Sequence, residues 1–287
     1  MDIKKITYFS APNCYELTIG KQKMIVASDF GPRIMHLSID GGENMLFNDE
    51  AEKFKSGDWK IYGGHRLWVS PENRWDLDPN NEKCDVTLGE NSITVKKLNK
   101  NTDLEKTITI TEKNQRFNVT HTITNKGQFL FAGAIWALTC FKPKGTIFVP
   151  WASHGSFKMS KIIYWNQWTD KKTNVNSSQF SQNDDYFMIN INGETSKIGT
   201  AAYDGYVGIT TDNYTFIKKF DRVNTNDYPD DNCAVECFTC ADFVELETLS
   251  PNVVFAPEIT YSHTEEWFLF GAKVNVSDKK AIEQMLK

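Results

Sequence analysis

Glu245 and Glu247, in the segment VELETLSP at 244–251, are a pair whose type and spacing could do acid–base chemistry. In an extended chain successive side chains point to opposite faces. Phe243, Glu245 and Glu247 therefore share one face, and Val244, Leu246 and Thr248 share the other. The two carboxylates then point the same way, about 7 Å apart. A strand that is apolar on one face and acidic on the other is either wetted surface or the floor of a polar cleft. A carboxylate on a cleft floor can take a proton from a hydroxyl while a second group returns one elsewhere on the ligand.

The densest polar and aromatic block is YGGHRLWVSPENRW at 62–75. Gly63 and Gly64 allow the backbone to turn or to approach a ligand closely. His65, Arg66, Trp68, Glu72, Arg74 and Trp75 follow within about a dozen residues, with no helix or strand period that sorts them into a buried face. The block is expected on a loop or a strand end, where binding groups are carried by rigid scaffolds. The plainer alternative is a surface loop held by Arg–Glu pairs over packed tryptophans.

Other histidines are scattered. His36 sits inside a strand as a packed or edge residue, His121 on an apolar face, His154 beside Gly155 in a loop, and His263 in a late strand. Cys237 and Cys240 have the spacing of half a zinc site, but no second pair completes four ligands. On a strand, residues three apart face opposite sides. Cys233, Cys237 and Cys240 are read as small buried hydrophobes, with no metal and no cofactor. No phosphate loop, dinucleotide fingerprint, zinc-protease helix, nucleophile elbow or kinase signature is present.

The elements that must position these groups are strands. Residues 92–97, 104–112 and 116–125 alternate cleanly between turns, and 187–191, 199–203, 207–211, 214–220 and 259–270 continue the pattern. The apolar run 129–141, with Trp136 near its centre, suits a strand buried on both faces. Two short strands are expected at 15–18 and 24–28, another at 34–39, and one carboxyl-terminal helix capped by Ser277. No repeat, linker or low-complexity tract divides the 287 residues, and one domain over 1–287 is expected.

Composition narrows the partners. The net charge of −5 and the absence of a basic run argue against nucleic acid or an anionic membrane. Aromatic residues make up 13%, with eight tryptophans, as sugar or peptide stacking often requires. The amino-terminal stretch has no apolar core ahead of a small-residue cleavage site. No run of about 18 apolar residues could span a bilayer. With six dispersed cysteines, a reducing, cytoplasmic setting is expected.

Three stretches carry a family likeness: GPRIMHLSIDGGENML near the start, VTHTITNKG at 119–127, and LETLSP followed by the strand 259–270. The chain resembles the galactose mutarotase-like superfamily, which includes the aldose 1-epimerases. The resemblance implies an all-β, large antiparallel β-supersandwich with a short carboxyl-terminal helix and a carbohydrate cleft on its concave face. It places the epimerase base on Glu247, in Leu246-Glu247-Thr248-Leu249, where Leu249 departs from the family's Gln. The family's acidic His has no counterpart, because the matching stretch reads AIWALTCF at 134–141 with Trp136 in the neighbourhood. The block at 62–75 resembles a less characterised branch.

The resemblance implies that His65 or His154 replaces the missing acid, and that Arg66, Trp68, Glu72, Trp136 and Glu245 hold a monosaccharide or sugar phosphate. The competing expectation is a catalytically silent sugar-recognition protein of the same fold. A polysaccharide lyase or hydrolase is disfavoured by the lack of an export signal.

Overall fold

The computed structural model describes residues 1–56, 59–72, 82–152, 157–168 and 171–287. It is 54% strand and 4% helix. Two large antiparallel sheets dominate. The first has eleven strands and runs Asp2–Tyr8, Ala11–Ile19, Gln22–Ala27, Arg33–Ile39, His65–Ser70, Phe131–Phe141, Val244–Leu249, Val235–Thr239, Ser196–Thr200 and Ile163–Tyr164, with Val253–Phe255 added beside Phe131–Phe141. The second has ten, running Phe180–Gln182, Tyr186–Asn190, Thr146–Pro150, Tyr206–Thr210, Thr215–Phe220, Thr260–Phe270, Arg116–Asn125, Leu104–Lys113, Ser92–Asn99 and Asp85–Gly89. The β-supersandwich expected from the sequence is the observed architecture. Among the described residues, no helix is long and apolar enough to cross a membrane.

Period-2 patterning builds the space between the sheets. On Arg116–Asn125, Phe117, Val119, His121 and Ile123 are buried, while Asn118, Thr120, Thr122 and Thr124 face outward. The outward threonines pair across to Thr264, Ser262 and Thr260 at 2.9–3.0 Å. Of the inward residues, Phe117, Val119 and Ile123 join Leu67, Val69, Ile135 and Leu246 of the first sheet in one hydrophobic cluster. Phe141 meets Phe216 across the layers at 5.1 Å.

Several boundaries differ from expectation. Asp2–Tyr8 forms an edge strand that sequence reading did not assign. Phe129 and Leu130 stay 86% and 69% exposed, and the central strand begins at Phe131. The terminal helix, Lys279–Met285, is capped by Asp278 instead of Ser277, because the Asp278 carboxylate accepts from the Ala281 N–H.

The largest correction concerns 65–70. His65–Ser70 is a fully buried interior strand of the first sheet, paired to Phe131–Phe141 and to Arg33–Ile39. It shows no apolar alternation because both its faces are covered, one by the interlayer core and the other by a polar cleft. Gly64 starts it at φ +69°, where an added Cβ would sit 2.1 Å from the Ile34 carbonyl oxygen.

Candidate functional site

On Val244–Leu249 every residue is buried, and alternation separates two chemistries. Leu246 and Thr248 face the interlayer core, while Glu245 and Glu247 face outward from the sandwich. Register extends that outward row across neighbouring strands. Glu245 lies opposite Cys140 and Phe238, and Glu247 opposite Leu138 and Glu236. Arg66 pairs with Leu138, and Trp68 with Trp136. Of these, Arg66, Trp68, Trp136, Leu138, Phe238 and Glu245 floor a cleft of about 510 Å³. Trp59, Trp68, Trp136, Trp168 and Phe243 supply its aromatic surface. Trp68 and Trp136 rings lie 5.9 Å apart, and Phe47 stacks behind Phe243 at 5.2 Å.

Arg66 is the polar centre of the exposed floor. Its guanidinium carbon lies 4.2 Å over the Trp68 ring. Its Nη2 donates to Glu245 Oε1 at 3.3 Å, and the Cys140 thiol donates to the same oxygen at 3.2 Å. Burial, followed by the Glu245 charge, pushes that thiol well above its usual range. Glu72 enters the cleft from beyond the end of His65–Ser70. Loss of hydration raises the Glu72 carboxyl, Arg66 opposes the rise and Glu245 adds to it. At the rim Lys53 pairs with Asp242 at 2.5 Å.

Glu247 is held differently. It has no exposed surface and sits below the floor. Lys197 Nζ donates to its Oε1 at 2.8 Å and its Oε2 at 2.7 Å, and Trp136 Nε1 donates to Oε2 at 2.7 Å. The same ammonium lies 2.7 Å from Glu236 Oε2. Rings of Trp168, Trp136 and Trp165 surround it at 4.8, 5.3 and 5.8 Å. Two carboxylates around one ammonium leave a residual negative charge in a dry place. Burial pushes Glu236 up to about 8 and raises Glu247 also, each opposed by Lys197. Burial alone would lower Lys197, but Glu236 and Glu247 outweigh it and keep the ammonium charged.

The residues expected to form the site thus divide. Arg66, Trp68, Glu72, Trp136 and Glu245 are brought together around the cleft. Glu247 is adjacent but locked beneath them. His65 faces the opposite side of its strand, one residue out of phase with Arg66, and is fully buried between the sheets. Its Nδ1 bonds Thr139 Oγ1 and its Nε2 bonds His121 Nε2, both at 2.7 Å. That geometry keeps it away from any ligand on the cleft side. His154 lies outside the described residues. Sequence reasoning missed Lys197, Glu236, Trp59 and Trp168. Alternation through Val235–Thr239 could have found Glu236, whereas Lys197 arrives from a strand two places away.

Among the described residues, His65, His121 and Glu265 have ligand atoms within 4.8 Å of one another, a spacing that could hold a metal. Each atom already has a partner. His121 Nδ1–H donates to the His263 carbonyl, so its Nε2 accepts from His65. Glu265 accepts from Lys218 at 2.9 Å, from Thr248 at 2.5 Å and from Trp267 at 2.7 Å. Lys218 supplies the cation here. Cys233, Cys237 and Cys240 are free thiols: Cys237 joins the interlayer cluster, and Cys240 lines the cleft.

A larger hollow, about 700 Å³, lies among residues 8–12, 29–30, 49–50, 52, 60 and 62. Three of its four lining carboxylates serve the local fold. Asp29 accepts from Asn13, Asp49 caps the N–H groups of Lys53 and Phe54, and Glu52 pairs with Lys55 and Lys60. The smaller, tryptophan-walled cleft is the better-built site.

No protein-family model and no curated protein matches the chain. Solved structures do. A candidate aldose 1-epimerase from Escherichia coli K12 superposes with a TM-score of 0.63 at 14% identity, over 90% of this chain and 99% of that one. A galactose mutarotase related enzyme from Lactobacillus acidophilus gives 0.58 at 11% identity, over 92% and 100%. A galactose mutarotase-like protein from Lactobacillus casei gives 0.57 at 10% identity, over 90% and 100%. The chain has the galactose mutarotase-like fold.

Proposed function

We propose that this chain binds a monosaccharide or its phosphate in the tryptophan-walled cleft and interconverts the sugar's anomers, as an aldose 1-epimerase does. The observation that carries the reading is the joining of flat aromatic surface to a paired Arg66 and Glu245 inside one cleft of about 510 Å³. That size falls in the range of roughly 300–1,000 Å³ typical of small-ligand sites. Tryptophan faces suit the C–H face of a pyranose, and fixed donor–acceptor pairs suit its hydroxyls.

One observation favours a second reading, sugar recognition without catalysis. Glu247, the residue matching the epimerase base, spends both oxygens on Lys197 and Trp136. Calorimetry and saturation-transfer NMR with D-glucose, D-galactose and their 6-phosphates test the shared premise. Binding by one or more of these is expected, and Trp168→Ala should weaken it about threefold to tenfold, the scale of one aromatic contact. Absence of binding across the panel would end both readings.

A further inference from the structure

We propose that Glu72 and Glu245 form the acid–base couple of this cleft, with Glu72 the general acid and Glu245 the general base. The inference rests on the sugar-binding reading above. Anomerisation needs two proton-transferring groups that touch one ligand, and in this family likeness the histidine acid has no counterpart. His65 faces the interlayer core, and Glu247 has no surface. Among the described lining side chains the carboxylates are Glu72, Glu245 and Asp242, and Asp242 is already paired with Lys53 at the rim.

Their surroundings suit opposite roles. Glu245 comes from the sheet floor and is held at Oε1 by two donors, Arg66 Nη2 and Cys140 Sγ, which leaves Oε2 to accept a proton. Glu72 comes from the chain beyond Ser70 and has no place in the sheet's hydrogen-bond ladder, so it can approach a ligand from above the floor. Reduced hydration, with the nearby Glu245 charge adding to it, favours the protonated form of Glu72. A carboxyl that favours its protonated form, lining the same cleft as a carboxylate paired with a guanidinium, suits an acid and a base.

The chemistry balances with these two groups alone. Glu245 takes the proton from the anomeric O1–H, and that bonding pair becomes the second bond of C1=O1. The C1–O5 bond breaks, its electron pair goes to O5, and O5 takes the proton from Glu72. Rotation about C1–C2 turns the other carbonyl face to O5. The reverse transfers then close the ring, with O5 returning its proton to Glu72 and O1 recovering one from Glu245.

The test is NMR-detected anomerisation of the same four sugars, with dissociation constants measured in parallel for wild type, Glu72→Gln, Glu72→Asp and Glu245→Gln. Wild type should show a bell-shaped rate against pH. Glu72→Gln should lower the rate roughly a hundredfold to ten-thousandfold and lose the alkaline limb, with affinity changed less than about threefold. Glu72→Asp should recover part of the rate, and Glu245→Gln should lose the acid limb. A Glu72→Gln variant with wild-type rate and profile, or one slowed only through weaker binding, overturns the couple. So does a wild type that binds sugar without accelerating anomerisation, an outcome that leaves the binding reading intact. Failure of all four sugars to bind removes the premise as well.

Discussion

Replacing Lys197 by Met keeps most of the side chain's length and removes the one cation between Glu236 and Glu247. The Lys197 side chain is 1% exposed, Glu236 2% and Glu247 0%, so solvent offers the stranded carboxylates nothing. Glu236, pushed up to about 8 by burial, already carries a proton near neutrality. Glu247 gives both oxygens to the lost ammonium, so it is the carboxylate the variant must newly protonate. Taking the unfolded carboxyl at about 4.3, holding that proton costs about 3.7 kcal/mol at pH 7 and about 1 kcal/mol at pH 5. The neutral-pH figure agrees with the roughly 3–5 kcal/mol seen when a buried ion pair loses one partner. The folded carboxyl of the variant lies above its unfolded value, so its contribution is intact below about pH 4.3 and is lost as pH rises. Thermal unfolding should show Lys197→Met melting lower than wild type by about 8–15 °C at pH 7 and by only a few degrees at pH 5, at roughly 2–4 °C per kcal/mol. An equal depression at both pH values, or none at pH 7, would refute the buried-triad account.

Glu236→Gln imitates the protonated carboxyl, so it should match wild type near pH 4 and gain on it as pH rises to about 8, levelling off above that value; chemical denaturation across pH checks this, and a constant difference would contradict it. Gly64→Ala forces a Cβ to 2.1 Å from the Ile34 carbonyl oxygen at φ +69°. It should destabilise by about 1–3 kcal/mol, and urea unfolding indistinguishable from wild type would show that the strand start is not so constrained.

Many of the strands and their faces were legible from the sequence alone. Residues 116–125 alternate so regularly that both the boundaries and the inward face of Arg116–Asn125 follow from period 2, and the shared face of Glu245 and Glu247 follows likewise. Local alternation needs no partner strand to be read. The family likeness in LETLSP and in 119–127 pointed to the sandwich that the structure shows. His65–Ser70 resisted the same method, since a strand covered on both faces has no wet side to mark its phase. Its phase decides whether His65 or Arg66 meets a ligand, and only the pairing of His65 with Thr139 and of Arg66 with Leu138 settled that. The condition of Glu247 was equally hidden. Lys197 lies 50 residues away in sequence, and its ammonium reaches the carboxylate only because Ser196–Thr200 pairs with Val235–Thr239, which in turn pairs with Val244–Leu249. Which carboxylate in a cleft is open to a ligand and which is locked by a cation depends on neighbours brought in by sheet order, and sheet order is a long-range property that no local spacing records.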